Sequence, residues 1–141
     1  MLAAFLLNLV LVAFSVLIHF EALNKLSILI PLVSIKHRMR VLVGVFGALI
    51  AHVVEIWIFG FGYYYMVNHE GYGNLAGSFE NSVMDCVYFS FLNFTTLGFS
   101  DIIATGDIRF LAGLEALTGL VLVTWTASFM FIEMQKQWKD R

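Results

Sequence analysis

Charge is what this chain has least of. Asp, Glu, Lys and Arg make up 13% of its 141 residues, against 60% hydrophobic, and the mean hydropathy is +0.87. A domain surrounded by water needs a more charged surface than that, so the solvent here is lipid. The net charge of −2 provides no basic field for a nucleic-acid partner. A single cysteine, Cys86, excludes an intrachain disulfide and leaves the redox compartment unread. As a lone thiol it reads as a small core hydrophobe. No row of arginines recurs at three-residue spacing, so a voltage sensor is not encoded. Neither end has the composition of a water-soluble unit, and no soluble ligand-binding domain is expected. The length suits one small unit.

What is present is a series of apolar runs separated by clustered charge. Met1 to about Leu23 is interrupted only by Asn8, Ser15, His19 and Glu21, and it is long enough to cross a bilayer as a helix. It lacks the basic leader and small-x-small site of a cleaved signal peptide. His19 and Glu21 are expected in the headgroup layer. Asn24 to Arg40 is a basic connection holding Lys25, Lys36, Arg38 and Arg40, divided by Pro31, which removes a backbone donor and clashes with the preceding turn. The positive-inside rule makes this connection cytoplasmic and puts the N-terminus outside. Val41 to about Val67 is a second span, with Tyr63, Tyr64 and Tyr65 as an aromatic belt at its outer end. His52 and Glu55 fall near its middle, three apart on one helix face. Ionisable groups at that depth are expensive and face protein or water. They read first as a structural pair packed against a neighbour. A metal or proton-relay role is the sharper alternative, and one His-x-x-Glu has too few ligands to close a metal site.

A polar, glycine-containing outer loop follows, Asn68 to Asn81, and then Ser82 to about Phe94, apolar but too short to span. Ser82 with Asp85 three residues on reads as a capping box that starts a helix. Such a helix stops inside the membrane, which is tolerated only where its backbone is buried in protein or lines water. Its C-terminal end, the negative pole of its dipole, favours a cation. There the chain breaks into Thr95-Thr96-Leu97-Gly98-Phe99-Ser100-Asp101: two hydroxyls, a glycine and a closing carboxylate between membrane-grade segments. The leading use for such a break is an ion-conducting re-entrant loop. Phe110 to Ile132 is the last span, and Glu133 to Arg141 is a basic tail, expected in the cytoplasm, with Trp138 as interfacial anchor.

Thr96-Leu97-Gly98-Phe99-Ser100-Asp101 resembles the selectivity filter of potassium channels, usually Thr-Val-Gly-Tyr-Gly-Asp. The resemblance covers about residues 41–132, because outer helix, pore helix, filter and inner helix recur in order. His52, Glu55-Ile56-Trp57, Arg109, Glu115-Ala116 and Trp125 look like the small bacterial ion-channel proteins of that superfamily. The family implies a homotetramer, since one chain supplies a quarter of each carbonyl ring. It implies K+ held by the carbonyls of Thr96, Leu97, Gly98 and Phe99, with the Thr96 hydroxyl completing the innermost site.

This sequence departs from the family at several positions. Leu97 lacks β-branched stiffness. Phe99 lacks a tethering hydroxyl. Ser100 stands where a glycine adopts backbone angles costly to an L-residue. Leu92 stands where some relatives carry a glutamate that clamps the aspartate. Asp101 is therefore expected to find Tyr88 or a backbone amide, or to stay solvated at the mouth, with Thr95 as a further support. Gly119 lies close to the family's inner-helix hinge, and equally reads as a small residue that lets helices approach. Val123 and Ala127 continue its face as cavity-wall candidates, and Glu115 is expected against the pore-helix scaffold.

The expectation is an all-α membrane protein: an N-terminal transmembrane helix and basic linker over 1–40, a pore domain over 41–132 (outer helix 41–67, pore helix 82–94, filter 95–101, inner helix 110–132) and a short cytoplasmic tail over 133–141. Its function is passive potassium conduction in the cell membrane, with K+ as permeant ion and no other cofactor. A weakly selective cation pore (through Ser100), a non-conducting pore-like subunit, and an intramembrane enzyme or metal protein using His52, Glu55 and Glu115 are the competing classes. The last lacks a nucleophile–base pair and a closed ligand set.

Overall fold

A computed structural model describes residues 2–32, 37–99 and 101–139. Three helices among these are long and apolar enough to cross a membrane: α1 (Leu2–Leu32), α2 (His37–Val67) and α4 (Ile108–Lys139). A shorter helix, α3 (Val83–Phe94), and two three-residue strands, β1 (Leu75–Gly77) and β2 (Ile102–Ala104), complete the chain order α1-α2-β1-α3-β2-α4. This is an all-α membrane fold with one small antiparallel ladder.

The ladder pairs Leu75 with Ala104, Ala76 with Ile103 and Gly77 with Ile102, and the Ser78 N–H extends it by donating to the Asp101 carbonyl at 3.2 Å. It binds the way into α3 to the way out of the following loop. The stretch from 78 to 101 therefore leaves and returns through one narrow neck. That is the backbone form of a re-entrant excursion, and backbone of this kind at membrane depth is tolerated where protein surrounds it.

The core lies around α3, between α2 and α4. Phe59, Tyr63 and Met66 of α2 meet Cys86, Val87, Phe89 and Phe94 of α3, with Ile108, Leu111 and Leu122 of α4 closing the cluster. Cys86 is fully buried there. The outer helix α1 packs on α2 and α4. Small residues of α2 admit its leucines: a Cβ on Gly47 would lie 2.4 Å from Leu26 Cδ2, and one on Gly62 would lie 2.5 Å from Leu11 Cδ1. Apolar helices in lipid associate through such close packing because burial from lipid supplies no hydrophobic drive. The outward faces keep exposed Phe5, Leu9, Phe46, Ile50, Leu117 and Val121, which suits a lipid or subunit environment.

Two boundaries differ from the sequence expectation. The first span does not stop near Leu23: α1 runs to Leu32, with Pro31 in its final turn. A proline interrupts a helix interior, but in the last turn it removes one bond only, so Asn24–Ile30 stays helical and buries Leu26 and Ile30 against the partner helices. The basic connection shrinks accordingly, and its centre, 33–36, lies outside the described residues. The last helix does not stop at Ile132. It continues to Lys139, where Lys136 and Lys139 in the final turn complement the helix dipole and Lys136 Nζ bonds Glu133 Oε1 at 2.5 Å. The tail is therefore helical over 133–139, and 140–141 lie outside the described residues.

Candidate functional site: the loop after α3 and its supports

The loop is positioned by the helix that leads into it. Ser82 caps α3 from an extended conformation (φ −91°, ψ 153°), and its hydroxyl oxygen accepts the Asp85 N–H at 3.0 Å. Asp85 Oδ2 in turn accepts the N–H of Glu80, two residues ahead of the cap, at 2.9 Å, so one side chain satisfies a first-turn donor and the other ties the incoming chain to the helix. The Glu80 N–H, followed by the Ser82 hydroxyl and N–H, holds the Asp85 carboxyl below its ordinary value.

The other end of α3 closes with two reversed bonds. The Thr96 N–H donates to Asn93 O at 2.9 Å, and the Leu97 N–H donates to Leu92 O at 3.1 Å, a Schellman arrangement. The residue that must turn left-handed in such a closure is normally glycine. Here it is Thr96, at φ 58°, a strained position for a β-branched residue. Gly98 is also left-handed, at φ 67°, whereas Leu97 and Phe99 are not.

Thr95, Thr96, Leu97, Gly98 and Phe99 are all exposed in the single chain, Leu97 at 57% and Phe99 at 73%. No described residue donates a hydrogen bond to the carbonyl of Thr96, Leu97, Gly98 or Phe99. Ser100 lies outside the described residues. Asp101 is exposed and Tyr88 is 46% exposed, and among the described residues no hydrogen bond joins them. The expected Tyr88 tether to Asp101 is therefore not made within one chain, because the Tyr88 side chain faces outward from α3. Leu92 is buried, with no carboxylate in its place.

Two supports hold α3 from behind. Gly119 of α4 is the first: a Cβ there would lie 2.2 Å from the Phe94 carbonyl oxygen, so only glycine lets α4 seat against the last turn of α3. That contact is what the packing reading of Gly119 requires. Glu115 is the second. Fully buried, it accepts hydrogen bonds from Tyr63 Oη of α2 and Ser90 Oγ of α3, and Ser90 Oγ also reaches the Ile56 carbonyl at 2.8 Å. One carboxyl thus links three helices at the level of α3 and does not face the exposed loop. Val123 and Ala127 are exposed on α4, as a wall facing solvent or another subunit would be.

His52 and Glu55 do pair, with Nδ1 to Oε2 at 2.9 Å, but they are not alone. His19 of α1 is fully buried and places its Nδ1 2.9 Å from Glu55 Oε1. The expectation of His19 in the headgroup layer is thereby corrected: Glu55 supplies a partner that lets the imidazole leave water. Nothing in the spacing of α1 announces this, since the two residues are 36 apart. The only hint was that Asn8, Ser15 and His19 share one helix face, and all three are buried. His19, His52 and Glu55 are also the described group whose donor atoms lie close enough together to hold a metal.

The sequence profile of the ion channel family matches residues 40–136, well over half of the chain. The chain belongs to that family, whose pore module is of the two-transmembrane potassium-channel type. No curated protein and no solved structure matches it. The protein is accordingly a multi-pass membrane protein with an ion-channel pore module, and α1 lies ahead of the matched region.

Proposed function

We propose that this chain is one subunit of a homotetrameric, passive, potassium-selective channel, with its N-terminus outside and its C-terminus in the cytoplasm. The observation that carries the reading is the row of carbonyls from Thr96 to Phe99, to which no described residue donates, in a loop whose neck is tied and whose base is packed. Buried backbone oxygens need partners. Four copies around one axis would face these oxygens inward, where a dehydrated cation is the partner that suits them. Potassium gives up its water more cheaply than sodium does, and stacked neutral dipoles match that cost without trapping the ion. The reading involves no catalytic step. The basic residues Arg38 and Arg40 in the first turn of α2, with Lys136 and Lys139 in the last turn of α4, support the orientation.

Ser100 favours a second reading, a weakly selective cation pore, because a serine replaces the family's glycine at the outer end of the loop. Rubidium and sodium uptake into liposomes containing the purified protein distinguishes the two. Uptake of rubidium well above sodium supports the potassium channel. Equal uptake supports the weak pore, and Ser100→Gly should then restore the preference. No uptake of either ion from an assembled tetramer overturns both.

A further inference from the structure

We propose that His19, His52 and Glu55 form a transition-metal site inside the membrane, one per chain, that staples α1 to the pore module. The ligand class is a borderline divalent cation such as Zn2+. Two imidazoles and one carboxylate suit that class, whereas Mg2+ and Ca2+ require oxygen shells. The proposal does not depend on what the loop conducts.

The donor atoms of the three residues all lie within 4.8 Å of one another. A tetrahedral zinc ion with bonds of about 2.1 Å spaces its ligands by about 3.4 Å. The observed Nδ1-to-carboxylate distances are 2.9 Å on both sides. The set needs a parting of nitrogen from oxygen by about half an ångström and an approach of the two imidazoles, whose rings already stack with centroids 5.2 Å apart.

Proton counting is consistent with the same assignment. Both Nδ1 atoms face Glu55, and both Nε2 atoms face one hydroxyl: Thr126 Oγ1 lies 3.0 Å from His52 Nε2 and 3.4 Å from His19 Nε2. If the rings are neutral and donate from Nδ1 to the carboxylate, two Nε2 lone pairs compete for one hydroxyl hydrogen. One of them is left unsatisfied in a buried site, which is costly. With a metal on the Nδ1 side the protons sit on Nε2 instead. Thr126 Oγ1 then accepts from both rings, and both ring nitrogens of each histidine have a partner. An outer-shell oxygen that fixes the tautomer of ligating histidines is the usual companion of such sites.

Trp125 packs on His19, with centroids 5.2 Å apart, and Phe94 packs on His52 at 5.6 Å, which places the site beside the last residue of α3. His52 also lines a cavity of about 270 Å³ shared with Thr95 and Val123, and a water entering there would complete the four-coordinate shell.

The test uses the full chain, untagged, stripped with a chelator, then equilibrated with zinc chloride and washed. We expect one zinc per chain by elemental analysis, with a raised unfolding temperature. His19→Gln and His52→Gln should each abolish the tight site. X-ray absorption on the wild-type zinc form should show two imidazole ligands. Should the glutamine variants not assemble, Thr126→Val keeps the side-chain volume and removes only the outer-shell oxygen, and it should weaken zinc binding by roughly 10- to 100-fold. No zinc on the wild type overturns the proposal, as does full zinc on both glutamine variants, a zinc shell without imidazole, or unchanged affinity in Thr126→Val. None of these readouts uses ion flux, so failure of the channel reading would be seen separately.

Discussion

The polar group around Glu55 and the polar loop after α3 lie close together and solve opposite problems. Around Glu55, two imidazoles, a carboxylate and a hydroxyl meet one another inside a single chain. In the loop, exposed carbonyls and the hydroxyls of Thr95 and Thr96 sit at the edge of the same chain, and no described residue donates to the carbonyls from Thr96 to Phe99. In lipid each unsatisfied polar group is expensive. The first region thus finds its protein partners within one chain, whereas in the proposed channel the second would find its partners in other copies and an ion. Substitutions in the interior should change stability first, and substitutions in the loop should change transport first.

The largest effect is expected where three helices share one carboxyl. Glu115→Leu leaves the buried Tyr63 hydroxyl without its acceptor, at about 1–3 kcal/mol, leaves Ser90 only the Ile56 carbonyl, and unties the three helices. Thermal unfolding and size-exclusion chromatography should show loss of assembled protein, and a stable, fully assembled variant would contradict the role assigned to Glu115. Gly119→Ala comes next. Its methyl would press on the Phe94 carbonyl, a backbone atom that moves only with α3, and overpacking of this sort costs about 1–3 kcal/mol. Unfolding temperature and rubidium uptake should fall together. A loss of uptake at unchanged stability would point to the hinge reading of Gly119 instead.

Gly98→Ala sharpens the contrast. No atom of the chain lies within 4 Å of the added Cβ, so the cost is that of the left-handed φ, about 1–2 kcal/mol. The expected result is an intact oligomer with much reduced rubidium uptake, and normal uptake would remove the loop from the conduction path. Ser82→Ala takes away the cap of α3, at about 1 kcal/mol, and should lower the unfolding temperature by a few degrees without altering ion preference. The smallest effect is that of pH on the same cap. The Asp85 carboxyl is held below its ordinary value, so its contribution is full above about pH 4 and fades as pH falls through the lowered value. Protection of the Glu80 amide, its exchange rate relative to an unstructured chain at the same pH, should fall over that acid range in the wild type and show no such step in Asp85→Asn.

Much of this architecture was legible from local pattern. Run length identifies three spans, and the shortness of 82–94, with Ser82 and Asp85 at its start, identifies a helix that cannot cross. Pro31 misled because a proline's effect depends on its place in the helix: in the last turn it ends α1 rather than dividing a linker. The short ladder was invisible, since Leu75–Gly77 and Ile102–Ala104 are too brief to show an alternating pattern and pair across 24 intervening residues, 78 to 101.

Composition and run length alone decided that this protein lives in lipid, how many times it can cross, and where its chain breaks into a polar loop. Those properties depend on residues adjacent in sequence, and transfer from water to hydrocarbon is nearly additive along a helix. Tertiary structure alone decided that His19 closes on Glu55, that Gly119 sits under Phe94, and that Glu115 meets Tyr63 and Ser90. A buried polar group must find its partner in space, and three packed helices can bring residues together from anywhere in the chain.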